Sequence, residues 1–292
     1  MNADDVVRIK GWERISWLRA GFSGRRGGVS SAFGGKSLNL GWKPEDQDAN
    51  VAENRRRFLA AIAGETDGGS AFSLVTLRQV HGTEIQTVGR AGDLLETSDG
   101  TAVLEGDGLL SDVPGVMLGI QVADCVPVLV ADSRRRVVAA LHAGWRGTMG
   151  SIVERGVARM REVYGSRPED MLAAIGPSIG PCCYRVGTEV RTGFEGHFKY
   201  AAELFRPRPE LRGRAGEEEG SLGSGESAGS LDLWEANRRQ LLHAGVPVEG
   251  VTVLGECSSC AREEDGSRRY FSHRAEHGRA GRMMGAIGIA AG

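Results

Sequence analysis

Between Gly115 and Gly147 the chain reads GVMLGIQVADCVPVLVADSRRRVVAALHAGWRG. Three apolar runs lie there, Val116–Val122, Val126–Ala131 and Val137–Leu141. Each has strand length and is rich in Val, Leu and Ile. Asp132–Arg136 separates the last two, and its arginines place that turn in water. Polar residues break the pattern where strands begin or end: Asp124 and Cys125 before the second run, His142 after the third. Antiparallel pairing across the turn would set the start of one run beside the end of the other. Cys125 and His142 are then neighbours at one edge of a buried sheet.

Helical periodicity appears over Asp48–Ala63, with Val51, Phe58, Leu59 and Ile62 on one face. Asp46 or Asp48 is placed to cap it and Gly64 to end it. Arg55 falls on the same apolar face. Phe72–Val80 is expected to be a strand running into Arg78-Gln79-Val80-His81-Gly82, while Glu65–Ser70 and Glu105–Asp112 (EGDGLLSD) read as loops. A helix is expected after Thr148 to about Tyr164, where Ser151 with Glu154 matches a capping box. Met171–Ile175, Val251–Leu254 and Ala286–Ala290 read as strands, and Val186–Phe198 and Leu231–Ala244 as helices. Arg206–Ser230 has almost no apolar residues and is expected to be a mobile surface insertion. Hairpin-like and helix-linked strands together predict an α/β fold: one domain over residues 1–292, a mixed β-sheet flanked by helices.

Composition narrows the function. The chain has 292 residues, 40% hydrophobic, and a formal net charge of −2. Near-neutral charge without a broad basic segment argues against nucleic acid as the partner. No apolar stretch reaches membrane-spanning length, and MNADDVVRIKGW lacks the basic-then-apolar order of a signal peptide. A cytoplasmic protein is expected. Five cysteines are too few, and odd in number, for a disulfide scaffold. Cys257 and Cys260 form one Cys-x-x-Cys pair, and a zinc ribbon would have to recruit Cys182 and Cys183. Adjacent cysteines are expected to chelate a single ion poorly. His273 and His277 lack the HExxH order, and His197 and His243 sit in polar helical segments.

His81, Cys125 and His142 remain, each at a strand terminus beside Gly or Asp. Two imidazoles and a thiolate suit zinc, with the fourth tetrahedral position left to water. The same thiol and imidazole could instead be a nucleophile and its base. A third possibility is a non-catalytic site that only pins the sheet. The turn Gly144-Trp145-Arg146-Gly147 leads into a helix N-terminus, which suits an anion.

His81 in RQVHG, Cys125 in ADCVPVLVAD, His142 in HAGWRG, then GPSIGPCCY and YFSHR with Gly281-Arg282, together resemble one family. It is the laccase-domain family, also called the multicopper polyphenol oxidase or YfiH-like family, whose members are regarded as purine nucleoside phosphorylases. The match runs from about Phe22 to Ile289, apart from the insertion. The resemblance implies a zinc ion held by the positions matching His81, Cys125 and His142, which double as the catalytic set. It also implies phosphorolysis of adenosine, inosine and methylthioadenosine, with adenosine deamination beside it. Copper, suggested by the laccase label, is discounted because the chain lacks the run of ligands a multicopper oxidase needs. Purine nucleoside and phosphate are the expected partners, with neither nucleic acid nor membrane.

Arg26, Arg55, Arg146 and Arg274 are the candidate phosphate-binding cations, and Asn39 a candidate polar contact. SGRRGGVS departs from the Ser-Thr-Arg usual in the family, which leaves open which arginine faces the site. The H-x-E and P-C-x-x-C deaminase signature is absent, so Asp124 or Glu84 would have to shuttle the proton. The alternative enzyme is a cysteine hydrolase or peptidoglycan-precursor editing amidase using Cys125 and His142. Oligomeric state is not written in the sequence.

Overall fold

The computed structural model describes residues 6–64, 72–89, 102–206 and 227–291. In chain order its elements begin β1 (Val6–Val7), β2 (Leu18–Ser23), β3 (Arg26–Ser30), α1 (Asp48–Ala63), β4 (Ser73–Val75), β5 (Ile85–Thr87), β6 (Gly108–Ser111), β7 (Val116–Val122), β8 (Val126–Asp132) and β9 (Val137–Ala143). They continue with α2 (Trp145–Met149), α3 (Ile152–Tyr164), β10 (Met171–Ile175), β11 (Arg185–Gly187), α4 (Thr188–His197), α5 (Ala201–Leu204), β12 (Phe205–Arg206), β13 (Ser227–Leu231), α6 (Leu233–His243), β14 (Val251–Val253) and β15 (Met283–Ile289).

The fold is mixed α/β, but its strands form more than the one sheet expected. A six-stranded mixed sheet has the order β14-β10-β8-β9-β6-β5, and a five-stranded one β1-β2-β15-β7-β4. A small sheet, β11-β13-β12, lies apart. The alternation of side chains along β8 explains the layering. Val126, Val128 and Val130 pack with Ile152, Val157 and Met160 of α3. Leu129 and Ala131 turn the other way, onto Ile120 and Val122 of β7 and Ile287 of β15. On the far face of the second sheet, Met117 and Ala286 meet Phe58 and Ile62 of α1. The order is therefore helices, sheet, sheet, helix. A strand covered on both faces needs apolar residues at every position, which is why the central runs are continuous. Leu129 is fully buried, and its truncation to Ala would cost about 2–5 kcal/mol.

Several local expectations change. The segment expected as the loop Glu105–Asp112 contains β6, whose four residues are all buried; pairing with β9 supplies the order that so short a run lacks. The strand expected over Phe72–Val80 is only Ser73–Val75, pairing with β7. α1 has the expected bounds, with Gly64 at φ 75°, but its N-cap is Gln47 and makes no side-chain cap bond. Asp46 instead accepts from Ser30 and Asn39. The Ser151–Glu154 capping box does not form: Ser151 sits at φ 59° without a cap bond, and Glu154 meets His243. The ends of the expected insertion are strands, Phe205 and Arg206 pairing with Leu231 and Ser230. Its middle, 207–226, lies outside the described residues, as does the loop expected at Glu65–Ser70. Among the described residues no helix is long and apolar enough to cross a membrane.

Candidate metal centre

β8 and β9 pair antiparallel with Val126 opposite Ala143 and Pro127 opposite His142. Directly opposed residues share a face, so Cys125 and His142 are diagonal neighbours on the side turned toward the second sheet. The third member comes from the turn after β4. His81 holds φ 61°, a left-handed conformation that histidine tolerates better than bulkier residues. The ligand atoms of His81, Cys125 and His142 all lie within 4.8 Å of one another. The two imidazoles meet edge to face, with centroids 4.9 Å apart.

Asp107 organises this cluster. Its Oδ1 lies 2.7 Å from His142 Nδ1, which leaves Nε2 as the nitrogen available to a metal. The same carboxylate accepts backbone N–H bonds from His81 at 2.9 Å and Gly82 at 2.6 Å. One buried acid thus orients one imidazole and the turn that carries the other. Gly144 keeps the space open: a Cβ there would stand 3.1 Å from Cys125 Sγ and 3.3 Å from His81 Cδ2.

The cluster is electrostatically poised. Burial opposes ionisation of the Cys125 thiol, yet charge and hydrogen bonding from His142, then His81, outweigh it and lower the thiol to about 6. Burial likewise opposes charge on His142, but Cys125 and Asp107 raise it to about 9. Without a metal, these opposite shifts favour a thiolate beside an imidazolium. Two nitrogens and a sulfur converging on one point, with the histidine tautomer set from behind, fit a borderline-soft divalent ion and leave it an open position.

The cluster opens into a cavity of about 570 Å³. Arg146 and Arg274 line it, together with Lys43 and Arg282. Arg146 lies over the Trp145 ring, with Cζ 4.1 Å from the centroid, and Arg274 donates to Arg185 O. Burial holds the Arg282 guanidinium below its ordinary value, and burial with the nearby Arg282 does the same to Lys43. The indole Nε1 of Trp42, on the same wall, has no hydrogen-bond partner among the described residues.

Other candidates lie elsewhere. Arg55 is behind the wall, its guanidinium over the Trp42 ring at 4.7 Å and its Nε donating to Leu40 O. Asn39 is fully buried, and its Oδ1 accepts from the Arg282 backbone N–H, so it supports Arg282 from behind. Arg26 is exposed and pairs with Asp265. Glu84 is exposed and off the cavity wall. Asp124 borders the cavity, but its carboxylate already accepts from Ser258, Ser272 and the Arg274 backbone. Those bonds hold it at φ 87° and gather three loops at the cavity.

Asp107, Arg282, Lys43, Trp42 and Tyr184 are site residues that the sequence does not single out. Asp107 stands between Gly106 and Gly108 in the Glu105–Asp112 segment, and an acid flanked by glycines at a strand start is the one local signal it offers. Arg282 was visible only as part of a motif.

Residues 19–290 match the family model described as multi-copper polyphenol oxidoreductase laccase. The chain is 36% identical over 286 residues to the purine nucleoside phosphorylase YlmD of Geobacillus stearothermophilus, covering 94% of this chain and 95% of the relative. It is 31% identical over 259 residues to adenosine deaminase RL5 from an unknown prokaryotic organism, covering 88% of each. The crystal structure of the Bacillus licheniformis hypothetical protein YfiH superposes with a TM-score of 0.79 at 32% identity, covering 98% of this chain and 96% of that one.

Proposed function

Because this chain belongs to the multi-copper polyphenol oxidoreductase laccase family, with relatives named as purine nucleoside phosphorylases, we propose that it is a zinc-dependent purine nucleoside phosphorylase. Adenosine, inosine and methylthioadenosine are its substrates in this reading, with adenosine deamination as a second activity. The observation that carries it is one arrangement: the His81, Cys125 and His142 cluster opens onto a cavity bordered by Lys43, Arg146, Arg274 and Arg282.

A volume of about 570 Å³ is of the size that holds a small organic ligand. Phosphorolysis forms a bond from a phosphate oxygen to ribose C1′ as the bond to the purine nitrogen breaks; the leaving purine takes up a proton. Two charges of phosphate need desolvated cations, and guanidinium groups bind them through paired N–H bonds. Arg146 and Arg274 would hold phosphate against C1′, with Arg282 and Lys43 adding charge, so that attack becomes effectively unimolecular. Trp42 and Tyr184 offer apolar walls for the purine. His81, Cys125 and His142 would hold the zinc, which when bound supplies a Lewis acid and an activated water, the ingredient deamination requires. A multicopper centre would need further clustered ligands; the second His/Cys/carboxylate group among the described residues consists of cysteines alone. The reading carries with it a cytoplasmic location, where the thiols stay reduced.

The test is to incubate adenosine and inosine with and without phosphate and identify the sugar product. Ribose 1-phosphate formed only with phosphate supports the reading; absence of base release under both conditions overturns it.

A second reading, a cysteine hydrolase or peptidoglycan-precursor editing amidase, draws on the thiolate–imidazolium pair of Cys125 and His142. It predicts an active, metal-free protein that loses activity when Cys125 is alkylated. Activity that depends on added metal rejects it.

A further inference from the structure

Adjacent cysteines were expected to serve one ion poorly, yet the structure gathers four. Cys182, Cys183, Cys257 and Cys260 place their sulfurs all within 4.8 Å of one another. Parallel pairing of β10 with β14 sends the following loops out of the same sheet end, and Ser178 bridges to Cys257. A turn closed by Cys183 N and Tyr184 N onto Gly180 O keeps Cys182 and Cys183 from diverging as they would in a strand. Cys182 Sγ lies 3.6 Å from Cys260 Sγ. Zinc–sulfur bonds of about 2.3 Å make a tetrahedron with edges of about 3.8 Å, close to the spacing seen.

Two further features suit a metal. The backbone N–H of Gly180 donates to Cys257 Sγ at 3.3 Å, a bond that favours a thiolate. Four thiolates around a divalent ion carry a net charge of about −2. Arg262 and Arg268 both donate to Ser259 O, inside the Cys257–Cys260 turn, and bring compensating positive charge.

We propose that Cys182, Cys183, Cys257 and Cys260 form a second, structural zinc site, separate from the His81, Cys125 and His142 centre. Four protein ligands leave no position for substrate, so this ion fastens loops and does no chemistry. On binding, the cysteines surrender their thiol protons to solvent. The loops it joins carry Ile179 and Tyr184 of the cavity wall, and Ser258, which donates to Asp124. The ion thus staples one side of the cavity to the sheet end.

Metal content of the full-length protein, purified under reducing conditions with zinc and then passed into metal-free buffer, tests this. We expect two zinc ions per chain, one in the Cys182→Ser/Cys260→Ser variant and one in His81→Ala. Cobalt(II) added to metal-free Cys125→Ala, which keeps the four clustered cysteines and removes the only thiol of the other centre, should give intense sulfur-to-cobalt charge-transfer bands even if the serine variant fails to fold. A weak cobalt spectrum without those bands overturns the proposal. So do disulfides among these cysteines in the isolated protein, or unchanged zinc content in a folded serine variant. Loss of the other zinc alone leaves this site standing, which separates the two readings.

Discussion

Asp107 Oδ1 lies 2.7 Å from His142 Nδ1, and its carboxylate also accepts the backbone N–H of His81. One side chain therefore orients one candidate ligand and anchors the turn that carries another, far away in sequence. Burial pushes the Asp107 carboxyl toward its neutral form, but hydrogen bonding from His142 and the amides of Gly82 and His81 prevails and holds it below the usual carboxylate range. The acid stays charged and the imidazole stays aimed.

Replacing Asp107 with Ala should weaken metal binding at the His81, Cys125 and His142 centre by about 10–100-fold, the usual cost of losing such a supporting carboxylate. Competition of the folded variant with a chromogenic chelator measures it. Unchanged affinity would mean that the three ligands are oriented without Asp107.

Gly144→Ala tests the space between the ligands. A methyl group 3.1 Å from Cys125 Sγ must displace the sulfur or the His81 ring. We expect metal content at this centre to fall while the circular dichroism spectrum is retained. Full occupancy in Gly144→Ala would show that the centre relaxes around the methyl.

The pH behaviour of metal-free protein has a definite sign. Cys125 is lowered from 9.0 to about 6, so its stabilising contribution is complete above 9.0 and is lost as pH falls through about 6. His142 is raised from 6.5 to about 9, so its contribution is complete below 6.5 and is lost as pH rises through about 9. Both groups are charged in the window between, and the thiolate is already present there. Alkylation of Cys125 by iodoacetamide, followed by mass spectrometry of its peptide, should rise with a midpoint near pH 6. A midpoint near 9 would remove the ion pair. Bound zinc should suppress the reaction throughout.

The arginines should separate by position. Arg146→Ala and Arg274→Ala remove cations from the cavity wall, and each should raise KM for phosphate about tenfold or more, the scale of one lost charge-assisted bond. Arg55→Ala should instead lower the melting temperature, since Arg55 packs behind Trp42 and bonds Leu40 O. Steady-state kinetics at varied phosphate, together with thermal unfolding, distinguish these. A phosphate KM untouched in both wall variants would place the anion elsewhere.

The central strands were legible because burial on both faces demands unbroken apolar runs, and β7 and β10 have the ends those runs predict. α1 was legible from its apolar period and the glycine that stops it. Even the meeting of Cys125 with His142 followed from local order, since a short turn joins β8 to β9 and sets their register. What surrounds those two residues depended on contacts that no local pattern encodes. Asp107 acts through amides and an imidazole brought to it by other elements, and a lone acid between glycines looks the same whether it caps a turn or orients a ligand. Arg55 and Arg282 are alike as letters; only packing put one behind Trp42 and the other on the cavity wall. The four cysteines met because β10 and β14 pair in parallel, bringing Cys182 to Cys260 across 78 positions of chain. Strand partners and the loops they bring together are chosen by the whole core at once, because the free energy of burial belongs to assembled layers and not to any single segment.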